Sequence, residues 1–136
     1  MREILGIYKV LGIWIFLMAQ DLRKRTKEFA LRVIRLYSSL PQSTVAQVIG
    51  KQVLRSGTSV GAHYREAFRS RSDAEFISKI QGGLQELEET VYWMELLIES
   101  NLVTEAKLKN LLQEASELTA IFITSVNKVK QKQRKK

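Results

Sequence analysis

Apolar residues in this chain recur at alternating spacings of four and three, and the pattern restarts three times after short polar interruptions. Such spacing returns to one side of an α-helix, so each segment presents a single apolar stripe. Leu22, Thr26, Phe29, Val33, Leu36 and Leu40 make the first stripe, and Pro41 closes it because the residue before a proline is pushed out of the α region. Ile49, Val53, Ser56, Val60, His63 and Ala67 make the second. The third is Phe76, Ile80, Gly83, Leu87, Thr90, Met94 and Leu97, and the fourth is Leu108, Leu111, Ala115, Leu118, Phe122, Ser125 and Val129. Thr44 with Gln47, and Ser72 with Glu75, have the spacing of capping boxes, and Thr104 stands where it can cap the fourth segment. Residues 69–71 and 101–103 are read as turns. Four long helices with short connections predict an all-α fold, an up-down-up-down antiparallel four-helix bundle over residues 20–130.

The ends differ from this pattern. Residues 10–19 form an unbroken apolar run of ten, half of the about 20 residues that a membrane-spanning helix needs. No small-x-small cleavage site follows the run, as a signal peptide would require. Met18 also opens a sequence that would serve as an ordinary soluble start. Residues 1–19 are therefore expected to be a helical extension, from upstream translation or as a packing arm, and a membrane is not the expected partner. Residues 131–136 lose apolar side chains and are expected to be a basic, disordered tail.

Small residues concentrate in the second segment, where Ser56, Gly57, Ser59, Gly61 and Ala62 interrupt larger ones. Each mid-helix glycine costs about 1 kcal/mol relative to alanine. The four-three spacing nevertheless continues through them, so the segment is read as a helix with a close partner. The third segment has a second stripe, Ile77, Leu84, Val91 and Ile98, widened by Tyr92, Trp93 and Leu96. So broad an apolar surface suggests burial on two sides and hence a subunit interface, a central position in the core of one chain being the alternative. Tyr92, Trp93, Leu96, Ser56, Val60 and His63 are the candidate contacts between copies.

Little in the chain suggests catalysis. There is no cysteine, which fits a reducing cytoplasm and removes thiolate chemistry. His63 is the single histidine, and Val60 stands where a Glu-x-x-His metal pair would need a carboxylate. Glu86, Glu88, Glu89 and Glu95 are read as a solvated face or as partners for basic residues. Gly82 and Gly83 lack the spacing of a phosphate-cradling loop. No enzyme activity, metal or cofactor is expected.

Charge is more informative. The net charge is +8, and residues 20–72 carry 11 Lys/Arg against 3 Asp/Glu, whereas residues 73–126 carry 3 against 10. The two halves should attract each other inside a bundle, and the last ten residues add six further positive charges. Arg65 and Arg69 share a helix face, and Arg71 lies in the turn before the third helix. These three, with Lys24, Arg25 and Arg32 from the first helix and Lys132 and Arg134 from the tail, are the candidate nucleic-acid contacts. The expected binding is directed at the backbone and depends little on sequence. Aromatic residues for stacking on bases are few, Tyr64 and Phe68 being the two that flank the arginines. An acidic protein partner is the alternative.

The run RSGTSVGAHYREAFRSRSDAEFISKI, followed by LQELEETVYWMELL, resembles the bacterial four-helix-bundle proteins first known as products of intervening sequences in 23S rRNA genes. Its most specific pieces are Leu54, Arg55 and Ser56, residues 59–62, Glu66 and Ala67, Ser72 with Glu75 and Phe76, then Glu86, Glu89, Thr90, Tyr92 and Trp93. The resemblance implies a ring-like homo-oligomer, a pentamer, without enzyme activity. It extends to the accessory protein of diversity-generating retroelements, which binds nucleic acid through a basic surface. His63 stands where an asparagine is usual in these proteins, which puts in doubt any polar contact shared at that position.

Overall fold

The first of four helices, α1, runs Ile13–Ser38, ahead of α2 at Thr44–Phe68, α3 at Asp73–Glu99 and α4 at Glu105–Arg134. The computed structural model describes residues 13–135, among which there is no strand. Helix α1 begins earlier than the expected start near Gln20, because residues 13–19 simply continue it. Residues 1–12 of the apolar extension lie outside the described residues. No helix among the described residues is long and apolar enough to cross a membrane.

Caps and turns follow local chemistry. Ser43, one residue before the expected Thr44, caps α2 by accepting the amide of Ala46. Gln47 is not its capping-box partner: its side-chain amide donates to the Pro41 carbonyl while its oxygen accepts from the Tyr37 hydroxyl. Ser72 caps α3 through the Glu75 amide, and Thr104 caps α4 through that of Lys107, as expected. The α3–α4 turn passes through Asn101 at φ 63°, a left-handed conformation that asparagine tolerates better than most residues.

Each helix packs on its neighbours in sequence. The α2–α3 pair makes the most extensive backbone approach, and a thinner α1–α4 contact closes the ring. Neither diagonal pair approaches closely among the described residues, as an up-down-up-down bundle requires. The core takes Phe29 and Val33 from α1, Val53 and Val60 from α2, Ile80, Leu87, Met94 and Leu97 from α3, and Leu108, Leu118 and Phe122 from α4. Each such side chain contributes about 1.5–3 kcal/mol by leaving water. On α4 the buried stripe ends at Val126, four residues after Phe122, whereas the expected Ser125 and Val129 are only half-buried. The tail does not fray where expected: the helix continues to Arg134, and the Lys135 amide still donates to the Gln131 carbonyl.

Candidate nucleic-acid interface

The small-residue segment of α2 serves the bundle itself. Gly57 lies against α1, where an added Cβ would fall 2.7 Å and 2.9 Å from the two methyl carbons of Val33. On the other side of α2 the Thr90 hydroxyl lies 2.8 Å from the Ser56 hydroxyl, both fully buried. Arg55 then spans to α3 with its fork, one nitrogen 3.2 Å from Glu86 and the other 2.5 Å from Glu89. The Trp93 indole donates to the same Glu89 at 3.4 Å, and Lys79 reaches back to Glu66 on α2 at 3.0 Å. The Lys79 hydrogen bond holds the exposed Glu66 carboxyl below its ordinary pKa.

Two candidate contacts between copies are corrected by this lock. Ser56 and Val60 are sealed between helices of one chain, so they present no surface to a second copy. His63 is half-buried at the α2–α3 crossing, where a Cβ on Gly82 would sit 2.9 Å from its ring, so only the bare glycine lets the ring in. Its Nδ1 is buried without a hydrogen-bond partner among the described residues. Tyr92 remains exposed, with Trp93 packed edge-on to it at 4.9 Å and Leu96 partly exposed nearby. Val45 and Val48 are also exposed on α2, Val48 seven residues before Arg55 and so on the same α3-facing side. The second stripe of α3 is half-buried against α4, and Leu84 and Val91 line a cleft of about 570 Å³ with Leu112 and Ile123.

Bundle topology decides where the cations go. Antiparallel connection puts the start of α1, the α2–α3 turn and the end of α4 at one end of the molecule. The Tyr64 hydroxyl bonded to the Ala19 carbonyl at 2.9 Å and the Lys132–Asp73 pair at 4.0 Å confirm that register. Arg65, Arg69, Arg71, Lys24, Lys132 and Arg134 therefore gather at this end. No carboxylate lies within ion-pairing distance of Arg65, Arg69, Arg71, Lys24 or Arg134 among the described residues. Arg65 in the last turn of α2, and Lys132 and Arg134 in that of α4, also face the negative ends of their helix dipoles.

Two expected members do not belong to the site. Arg25 is turned toward α4, its Nε and Nη2 donating to the two oxygens of Glu114 at 3.1 Å and 2.5 Å, with Glu117 at 3.4 Å. The Glu114 hydrogen bond, outweighing partial burial, raises the Arg25 pKa above its ordinary value. The guanidinium thus closes the thin α1–α4 seam and is neutralised there. Arg32, seven residues on, shares that side of α1 and lies a further two turns from the basic end. One cation was missed: Arg23 lines a small cleft with Ala19, Gln20, Tyr64, Arg65 and Phe68. Its signal was present, because Arg23, Ala30 and Tyr37 are spaced by seven, which puts it on the α2-facing side of α1.

The sequence profile of the family described as 23S rRNA-intervening sequence protein matches residues 19–124. A crystal structure of a protein of unknown function from the S23 ribosomal protein family of Bacteroides thetaiotaomicron is similar, with a TM-score of 0.76 and 36% identity. The likeness covers 80% of this chain and 97% of that one. No curated protein matches the chain.

Proposed function

The chain belongs to the 23S rRNA-intervening sequence protein family, and on that footing we propose that it is a non-enzymatic, self-associating bundle that binds the backbone of RNA. The observation that supports this reading is the cluster of cations at one end, Arg65, Arg69 and Arg71 at its centre with Arg23, Lys24 and Arg134 around them, none ion-paired among the described residues, and Lys132 beside them on Asp73. Such a surface attracts phosphates irrespective of base sequence and releases counterions as it does so. The non-enzymatic part rests on commitments elsewhere: Glu86 and Glu89 hold Arg55, and the one histidine is wedged between helices. Self-association is assigned to the exposed Tyr92 with the partly buried Trp93 and Leu96, extended by Val45 and Val48.

Filter binding of labelled RNA over a salt series tests the surface. Affinity falls steeply with salt, and the Arg65→Glu/Arg69→Glu/Arg71→Glu variant binds far more weakly, while Arg32→Glu binds like the parent protein. Affinity indifferent to salt, or unmoved by the triple reversal, overturns the reading. The α3–α4 cleft favours a second reading, an interaction scaffold with a protein partner. A partner retained after nuclease treatment and lost on Leu84→Asp would support it.

A further inference from the structure

Three aromatic rings lead outward from the core to the basic end. Phe122 is fully buried, Tyr64 packs on it at 6.0 Å with an interplanar angle of 27°, and Phe68 lies 6.4 Å beyond Tyr64, tilted by 31°. Exposure rises along the series, from 0% for Phe122 through 6% for Tyr64 to 47% for Phe68. The Tyr64 hydroxyl, bonded to the Ala19 carbonyl, fixes the middle ring between α1 and α2. Phe68 is thus a large apolar ring held at the surface by a rigid support, at the last residue of α2.

Its surroundings are cationic. The cleft it lines also takes Arg23 from α1 and Arg65 from α2, and no carboxylate among the described residues lines it. Arg69 follows Phe68 directly as the cap of α2. The acidic side chains nearest in sequence are already engaged, Glu66 with Lys79 at 3.0 Å and Asp21 beside Arg25 at 3.9 Å. A docking surface for another protein would need acidic groups to meet this rim. A nucleotide supplies both complements at once, a π-face for the ring and a phosphate for the guanidinium groups on either side.

We propose that Phe68 is a stacking platform for an unpaired nucleobase, with Arg23, Arg65 and Arg69 holding the adjoining phosphates, so that the preferred ligand is single-stranded RNA. The inference rests on the RNA-binding reading above and narrows it. A duplex keeps its bases stacked on each other and offers only backbone to the same end, whereas unpaired bases in loops and ends are free to stack on protein aromatics. Base identity contributes little, because every base has a π-face.

Fluorescence anisotropy on the full chain tests this with three probes of about 15 nucleotides, a length within the usual range for such sites. They are an oligouridylate, an abasic ribose-phosphate strand and an RNA duplex. The parent protein binds the oligouridylate about tenfold more tightly than the abasic strand, the effect expected of one stacked base. Phe68→Ala removes that preference and leaves abasic and duplex affinities unchanged, while Phe68→Trp keeps it. Arg65→Glu/Arg69→Glu weakens all three probes. Equal binding of oligouridylate and abasic strand by the parent, with salt dependence intact, overturns the stacking platform and leaves the RNA-binding reading standing. Absence of binding to every probe overturns both. A Phe68→Ala variant that loses all three probes equally and changes mass in light scattering also overturns the platform, because the ring is then a contact between copies.

Discussion

Gly57 sits where intrinsic helix propensity and packing oppose each other, so the sign of a single substitution reports on the contact. Alanine in a helix interior is favoured over glycine by about 1 kcal/mol. At this position the new methyl would fall 2.7 Å and 2.9 Å from the γ carbons of Val33, which is fully buried. Valine has one strongly preferred rotamer in a helix and cannot swing away. Forcing the overlap costs about 1–3 kcal/mol in strained side chains or a displaced helix. The net expectation for Gly57→Ala is a loss of about 1 kcal/mol, or a few degrees in Tm. Urea denaturation at fixed protein concentration measures it, since self-association would otherwise shift the midpoint. Val33→Ala completes the cycle: with the γ methyls gone, the nearest contact left is the residue-33 Cβ at 3.2 Å. Gly57→Ala then loses most of its cost and moves toward the gain of about 1 kcal/mol that helix propensity allows. If Gly57→Ala alone stabilised the parent protein, α1 and α2 would not approach as closely as described, and the explanation of the glycine would be wrong.

Other substitutions test the remaining contacts. Thr90→Val removes a buried hydroxyl paired with Ser56 and should lower the urea-derived stability by about 1–2 kcal/mol. Glu114→Ala leaves the partly buried Arg25 without its main partner. It should cost about 1–2 kcal/mol and speed hydrogen exchange in α1, with RNA affinity unchanged. The Glu66 carboxyl has its folded-state pKa lowered by Lys79, so its contribution is present in full above the ordinary glutamate range and is lost as the pH falls from there through the lowered folded-state pKa. Acid titration should therefore show the parent and Glu66→Gln converging in stability at low pH; a gap that widens there would refute the sign. Tyr92→Ser/Trp93→Ser should lower the mass in light scattering toward that of one chain, and an unchanged mass would move self-association to another face.

The residues that made the sequence recognisable turned out to serve the fold. Arg55, Ser56, Glu86, Glu89, Thr90 and Trp93 meet across the α2–α3 crossing as one connected set of polar contacts. Ser56 and Trp93 invited a reading as surface for another copy, because an apolar stripe with small polar residues looks the same whichever helix covers it. Glu86 and Glu89, by contrast, were read as a solvated face or as partners for basic residues, and Arg55 is such a partner. Distance along the chain hid the pairing: Ser56 and Thr90 are 34 residues apart, and only the turn at residues 69–72 brings them level.

Helix number, order, breaks and most of the core were settled by the chain alone, since apolar periodicity, proline and capping side chains act within a few residues of each other. Charge was equally plain as a total. Which cations stay free was only partly so: spacing puts Arg23 on the α2-facing side of α1, but nothing local says that Arg25, on another side, finds a carboxylate. Arg25 alone is turned onto Glu114, 89 residues away, while Arg23 lines the same cleft as Phe68. That sorting comes from how α1 is seated between α2 and α4, a property of the packed bundle that no stretch of sequence contains.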